Sequence, residues 1–293
     1  ITMKPLTLDA LLKRIKNQEI EFDSSFQRKA GLWNKSQKSQ LIESIFLRIP
    51  LPAFYFDASD EDKWLIIDGL QRVTTLKEFV VEKTLKLKDM EFFPELNGCG
   101  YDKLPRTFQR RIDETVINIY LVNHSTPENV KFNIFKRINT GGLALEPQEI
   151  RNALFQGKAT QFLQECSQME CFITATSGSV KSERMLDREF VLRYVSFCYL
   201  DLEGYTGNID EFLNEGMKFL NHADLERLEE IKKEFAFTME SIYSIMERNA
   251  FRKICDDGRR RPINKVIFES WCYVIRALSI EQVKILKEKK EEI

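Results

Sequence analysis

Trp64 to Ile67 is a short apolar run that stops at Asp68-Gly69. From Val73 onward the apolar positions fall at Val73, Leu76, Phe79 and Val80, which is helical spacing. The pattern predicts a strand, a glycine turn and a helix over "WLIIDGLQRVTTLKEFV". Upstream, "TLDALLKRIKNQEI" predicts an opening helix with Thr7 or Asp9 near its start. "SQKSQLIESIFLRIP" predicts an amphipathic helix with Leu41, Ile42, Ile45, Phe46 and Ile49 on one face, Ser36 as its cap and Pro50 as its stop. "LPAFYFDAS" and "KWLIID" read as two strands of a hairpin, and "KLKDMEF" and "TVINIYLV" as further strands. "YDKLPRTFQRRID" between the last two reads as a short helix carrying Arg106, Arg110 and Arg111.

After His124 the period changes. "STPENVKFNIFKRIN" predicts a helix capped by Thr126 with Pro127 in its first turn, "TGG" breaks it, and Pro147 opens the next helix in "LEPQEIRNALFQG". Everything beyond reads as helical. The expected class is α+β: a small mixed sheet with helices over 1–125, then an all-helical region over 126–293. The boundary falls between 125 and 155.

Composition narrows the classes. The chain has 293 residues, 43% hydrophobic and 30% charged, which is globular composition rather than that of a disordered chain. A formal net charge of −1 argues against a uniformly basic nucleic-acid coat, but a local basic groove is compatible with it. Six cysteines form no C-x-x-C pair and there are only two histidines, so a structural zinc site is not expected. Cysteines inside apolar runs, such as Cys198 and Cys272, read as buried thiols of a reducing, cytoplasmic compartment. The start carries no long apolar segment of the signal-peptide kind, and no run reaches the length of a membrane span. The chain is expected to be a fragment of something longer.

Four constellations carry candidate chemistry. At Asp68, Gly69, Gln71, Arg72, Thr74 and Thr75, a helix start offers free N–H groups and the positive end of its dipole, and an arginine adds a planar charged fork. An anion fits there. The competing reading, in which Asp68 caps the helix and Arg72 pairs with a surface acid, stands level with it. Gln27 and Arg28 in "SSFQRKAGLWN" could reach the same anion, or lie in solvent while Trp33 plugs the domain edge. In "FKRINTGGLALEPQEIRNALF", Asn139 and Thr140 could bond a ribose or base, and Gly141 and Gly142 permit close approach of a ligand. The same four residues also suit a plain helix–helix turn. Arg259, Arg260 and Arg261 form a basic run, a solvated loop or a phosphate contact. No Walker loop, G-x-S-x-G, H-E-x-x-H or kinase signature occurs.

Taken together, "FQRKAGLW", "LIESIFLRIPLPAFYF", "IIDGLQRVTTL" and "FKRINTGGLALEPQEIRNALF", in that order, resemble a bacterial family, the N-terminal domain of GmrSD-type restriction proteins. Its hallmark is D-G-Q-Q-R-x-T-T-L. The resemblance covers roughly residues 5 to 155 and implies a fold similar to the ParB N-terminal domain and sulfiredoxin. It implies nucleotide handling: a G-x-x-R turn for phosphates on Gly69 and Arg72, the family's Asp, second Gln and threonines on Asp68, Gln71, Thr74 and Thr75, and its upstream Q-R on Gln27 and Arg28. The first Gln of the hallmark is Leu70 here, which bears on hydrolysis. Thiol redox chemistry of the sulfiredoxin kind is not expected, because Leu70 and Gln71 stand where that branch carries its cysteine turn. Family members also carry a separate HNH nuclease domain, and two histidines cannot assemble one here.

The leading expectation is an NTP-binding, NTP-hydrolysing domain of a restriction or anti-phage system. It would take a nucleoside triphosphate with Mg²⁺, and Asp68 would hold the ion or orient Arg72. Its partner would be an HNH-type nuclease domain or subunit outside this chain. The alternative is a ParB-like DNA-binding module using Arg110, Arg111, Arg259 and Arg260. A nuclease within this domain ranks last.

Overall fold

A computed structural model describes residues 1–22, 33–138, 145–253 and 259–290. The chain divides into two compact units, Ile1–Ala144 and Leu145–Ile293. The division lies within the 125–155 interval but after the helix that begins at 128, which therefore belongs to the first unit.

The first unit runs β1 (Thr2–Thr7), α1 (Leu8–Lys16), β2 (Ile20–Glu21), α2 (Lys35–Phe46), β3 (Phe54–Ala58), β4 (Trp64–Asp68), α3 (Leu70–Leu76), α4 (Arg106–Glu114), β5 (Val116–Asn123) and α5 (Glu128–Ile138). The strands form one mixed sheet in the order β1-β5-β3-β4-β2. β3 and β4 are the expected antiparallel hairpin, while β3 runs parallel to β5 and β2 parallel to β4. The class is α+β, as the sequence predicts.

Local rules explain most ends. Thr7 caps α1, accepting from the Ala10 N–H. α2 is capped by Asn34 and not by Ser36: Asn34 and Gln37 form a reciprocal capping box. The Ser36 hydroxyl instead bonds Asp89. Ile49 lies beyond α2 and is exposed, so it does not continue the apolar face. Residues of "KLKDMEF" do not form a strand. Leu85, Leu87 and Met90 are buried, but the backbone there bonds locally, with the Leu87 N–H donating to Cys99 O at 3.0 Å and the Gly98 N–H donating to Leu87 O at 2.8 Å.

One face of the sheet closes over a core in which Phe54 of β3 packs with Leu11 of α1, Ile42 and Phe46 of α2, and Val73 and Leu76 of α3. Toward the other face, α5 is tied to β3 through Lys131, whose ammonium lies 3.5 Å from Asp57 and also bonds Ser59. Both partners of that ion pair are buried.

The second unit is helical, as predicted: α6 (Pro147–Leu154), α7 (Lys158–Ser167), α8 (Glu170–Ala175), α9 (Leu186–Tyr199), α10 (Ile209–His222), α11 (Leu225–Met246), α12 (Lys265–Arg276) and α13 (Ile280–Glu288). α9 packs against α7, α10 and α12, and α11 against α8 and α12. α6 opens on Pro147 behind a Glu146–Glu149 capping box. Several charged groups enter this core as pairs. Glu189 sits between Arg193 at 2.8 Å and Lys265 at 2.9 Å, and Arg193 also reaches Glu269. Burial works against the charge of Glu189, but its two cations outweigh it and lower its pKa; for Glu269 burial prevails and the pKa rises. Cys166, Cys198 and Cys272 are buried free thiols, and burial pushes the first two up to about 12.

Candidate functional site

β4 ends on Asp68, and the chain turns at Gly69 with φ +98 before α3 begins. Two constraints demand glycine. The backbone is in the left-handed region, and a Cβ there would lie 2.7 Å from Phe54 Cδ1 and 3.2 Å from Arg72 Nη2. No side chain caps the start of α3. Asp68 is therefore not the cap. Its Oδ2 accepts from Arg72 Nη2 at 2.9 Å instead.

Arg72 is 9% exposed. Its Nη1 donates to Pro52 O, its Nη2 to Ala53 O at 3.1 Å, and its guanidinium carbon stands 4.2 Å from the centre of the Phe54 ring. The fork thus clamps residues 52–54, at the entrance to β3, against the turn after β4. Burial pulls the Arg72 pKa down and Asp68 pulls it back up. Three N–H donors face protein acceptors; the Nε–H and one Nη1 hydrogen have none among the described residues.

The remaining motif residues face different ways. Gln71 is half-buried, and its Oε1 accepts from the Trp33 N–H at 3.3 Å. Thr75 is fully buried and donates to Gln71 O at 2.7 Å, a bond within the helix. The Thr74 hydroxyl oxygen is enclosed without a hydrogen-bond partner among the described residues. Leu70, where the resembled family carries glutamine, packs against the core. Asp68 keeps about a third of its side chain exposed, at 35%.

Sequence reasoning missed two aromatic neighbours. A register shift after Tyr55 sets it opposite Asp68, and on its other side Tyr55 pairs with Tyr120 of β5. The two rings stack at 4.8 Å and 11°. Burial, then Tyr120, then Asp68 raise the Tyr55 pKa. The signal was the tyrosine in each of "FYF" and "IYL", but only the strand pairing brings them together.

Gln27, Arg28, Asn139, Thr140, Gly141 and Gly142 lie outside the described residues. The chain on either side of 23–32 runs beside α3: the Lys77 ammonium is 4.8 Å from the Phe22 ring, and Trp33 bonds Gln71. Arg110 is exposed on α4, but Arg111 is a strut, with Nη1 donating to Phe46 O at 2.9 Å. Arg259 and Arg260 are exposed in the second unit. Among the described residues, no group of three or more His, Cys, Asp or Glu could hold a metal ion. No helix among them is long and apolar enough to cross a membrane.

Replacing Gly69 with alanine tests whether this turn is as constrained as its geometry says. A left-handed conformation costs a side chain about 1–2 kcal/mol, and relief of the Phe54 contact adds a comparable amount. We expect a loss of about 2–4 kcal/mol in urea unfolding followed by Trp64 fluorescence. An unchanged midpoint would show that the turn relaxes freely.

The architecture is that of an α+β protein whose mixed sheet carries a strand–glycine–helix turn clamped by an arginine, followed by a helical unit. The profile of the family described as GmrSD restriction endonuclease, N-terminal domain, matches residues 8–156, and the chain belongs to that family of restriction, anti-phage defence proteins. No curated protein and no solved structure matches the chain.

Proposed function

We propose that the first unit, a ParB/sulfiredoxin-like domain, binds the phosphates of a nucleoside triphosphate at the β4–Gly69–α3 turn and hydrolyses it in the service of a restriction-type defence system. The observation that carries this reading is the uncapped start of α3 behind Gly69, with the Arg72 guanidinium close beside the turn. α3 runs on without a break into a π-helical turn, Lys77–Val81, so the dipole behind the turn is longer than seven residues alone would give.

Within this reading Arg72 is a positioning residue. Most of its fork already holds residues 52–54 and Asp68, so its contribution is the shape and positive field of the turn. Gln71, with part of its surface open, is the side chain suited to meet phosphate or orient a water. Asp68 is a single carboxylate, so the described residues supply no protein cage for Mg²⁺. An ion of this kind fits if it arrives on the nucleotide, with phosphate oxygens as most of its ligands and Asp68 as one. Phosphoryl transfer asks for charge placement and positioning, which such a turn can supply.

The test is a binding and phosphate-release panel with ATP, GTP, CTP and UTP in the presence of Mg²⁺, comparing wild type with Gln71→Ala. We expect binding of at least one nucleotide, with release reduced at least tenfold in the variant. Gln71→Ala removes no buried charge, so thermal unfolding should stay close to wild type. No nucleotide binding by the wild type would end the proposal. Binding without release in either protein would leave a nucleotide sensor rather than an NTPase, with Leu70 as the reason.

A further inference from the structure

α12 is apolar on two opposite sides. Phe268, Cys272 and Ile275 are buried in the core of the second unit. Lys265, Glu269 and Arg276 are the charged residues of the helix, and each is paired within the unit. Lys265 lies 2.9 Å from Glu189, Glu269 meets Arg193, and Arg276 Nε lies 3.0 Å from Glu234. Glu189 and Arg193 belong to α9 and Glu234 to α11. The side turned away from the core carries Val266, Ser270, Tyr273, Val274 and Ala277, all exposed and none charged. Val266 is 66%, Tyr273 50% and Val274 47% exposed. A surface helix ordinarily puts its charges on that side, and a helix apolar all round is ordinarily buried all round. Single exposed apolar side chains are common, but a contiguous uncharged stripe marks a contact surface.

The stripe has the period and the shape to pair with itself. Val266, Ser270, Tyr273 and Ala277 follow one another at intervals of four, three and four residues, the seam spacing of two helices packed side by side. Their sizes alternate, large at Val266 and Tyr273, small at Ser270 and Ala277. Two copies of α12 laid antiparallel, with the two-fold axis crossing between Trp271 and Cys272, set Tyr273 of each copy against Ser270 of the other. The same operation sets Val266 of each against Ala277 of the other. Every layer then joins a large side chain to a small one, and no charge meets a charge. A parallel pair in register would stack Tyr273 on Tyr273 and leave Ser270 facing Ser270 across a gap. Only the antiparallel pair fills the seam, and its isologous contact closes at two copies.

We propose that the exposed face of α12 docks on the same face of a second copy of this chain, as an antiparallel two-fold helix pair. Tyr273 is the anchor, since its ring supplies apolar area at the middle of the seam while its hydroxyl can stay at the wet rim. The seam runs along about 18 Å of helix and is smaller than the ~800 Å² per partner of a standard stable interface, so the dimer is weak and depends on concentration. This inference is independent of the nucleotide reading, which concerns the other unit.

The experiment is sedimentation velocity of the full chain over a range of concentration. We expect monomer to give way to dimer as the concentration rises. Tyr273→Glu should weaken the dimer about tenfold or more, because each dimer then desolvates two unpaired carboxylates. Val266→Lys should do the same from the end of the seam. Both side chains are exposed, so thermal unfolding of either variant should stay close to wild type. Tyr273→Glu combined with Ser270→Arg sets opposite charges across the seam in the antiparallel pair and like charges across it in a parallel one. Recovery of the dimer in that double variant supports the proposal, and no recovery overturns the antiparallel pairing. A wild type that stays monomeric at every concentration overturns the proposal and leaves the stripe to a partner of different sequence. A dimer that neither single variant weakens forms through another surface, and overturns it as well.

Discussion

Arg72→Ala is expected to destabilise the first unit by about 3 kcal/mol, the low end of what breaking a buried ion pair costs. The variant leaves Asp68 without its cation, removes the donors of Pro52 O and Ala53 O, and strips the flat partner from Phe54. The low end applies because Asp68 keeps 35% of its side chain exposed and can be rehydrated. Urea unfolding followed through Trp33 and Trp64, the tryptophans of this unit, reads the change directly. Arg72→Lys keeps a charge near Asp68 but cannot reach two carbonyls and a carboxylate at once, so it should recover less than half of the loss. The functional consequence matters more. Loss of nucleotide binding in Arg72→Ala would follow from collapse of the turn, even if the guanidinium never touches phosphate. That is why Gln71→Ala, and not an arginine variant, is the decisive comparison for the nucleotide site. An Arg72→Ala protein with an unmoved urea midpoint would refute the clamp.

The parts of the fold that depend on local periodicity were legible in the sequence. α1, α2, the β3–β4 hairpin, β5 and the helical second unit follow from apolar spacing, and the glycine turn follows from "DGLQR". What was not legible depends on pairing at a distance. β1 reads as "TMKPLT", with a lysine and a proline in its interior, and only its place at the sheet edge makes Pro5 tolerable. β2 is two residues long and has no period to detect. "KLKDMEF" reads as a strand, yet its buried Leu87 and Met90 fill the core without pairing to a neighbouring strand among the described residues. The same divide runs through the site. The Asp68–Arg72 pair is four residues apart and could be read as a helical ion pair. That the same guanidinium also grips Pro52 and Ala53, and that Tyr55 lies between Asp68 and Tyr120, required the sheet. Family membership was legible for a different reason. It rests on several short motifs in order, none of which is diagnostic alone.

The largest single loss is expected in the second unit. Arg151 is the most enclosed charge among the described residues, at 1% exposure. Its Nε donates to Asn214 Oδ1 at 3.0 Å and its Nη2 to Asp210 Oδ1 at 2.5 Å, joining α6 to α10. Burial lowers its pKa and Asp210 opposes that shift, so the carboxylate is what keeps the charge tolerable. Arg151→Ala leaves a cavity, takes the buried cation away from Asp210 and leaves the buried Asn214 amide with one bond fewer. Together these should cost about 4–5 kcal/mol. Trp271, the tryptophan of this unit, and hydrogen exchange of α6, α9 and α10 separate the change from any in the first unit. Arg151→Met combined with Asn214→Leu removes the charge and one stranded acceptor together. Because buried polar pairs exchanged for apolar groups of similar volume lose little, it should recover about half of the stability. If Arg151→Ala leaves Trp271 unfolding where it was, the pair with Asp210 contributes nothing to the helical unit. If instead the double replacement is no better than the single, the loss comes from the cavity and the exposed Asp210 rather than from the stranded amide.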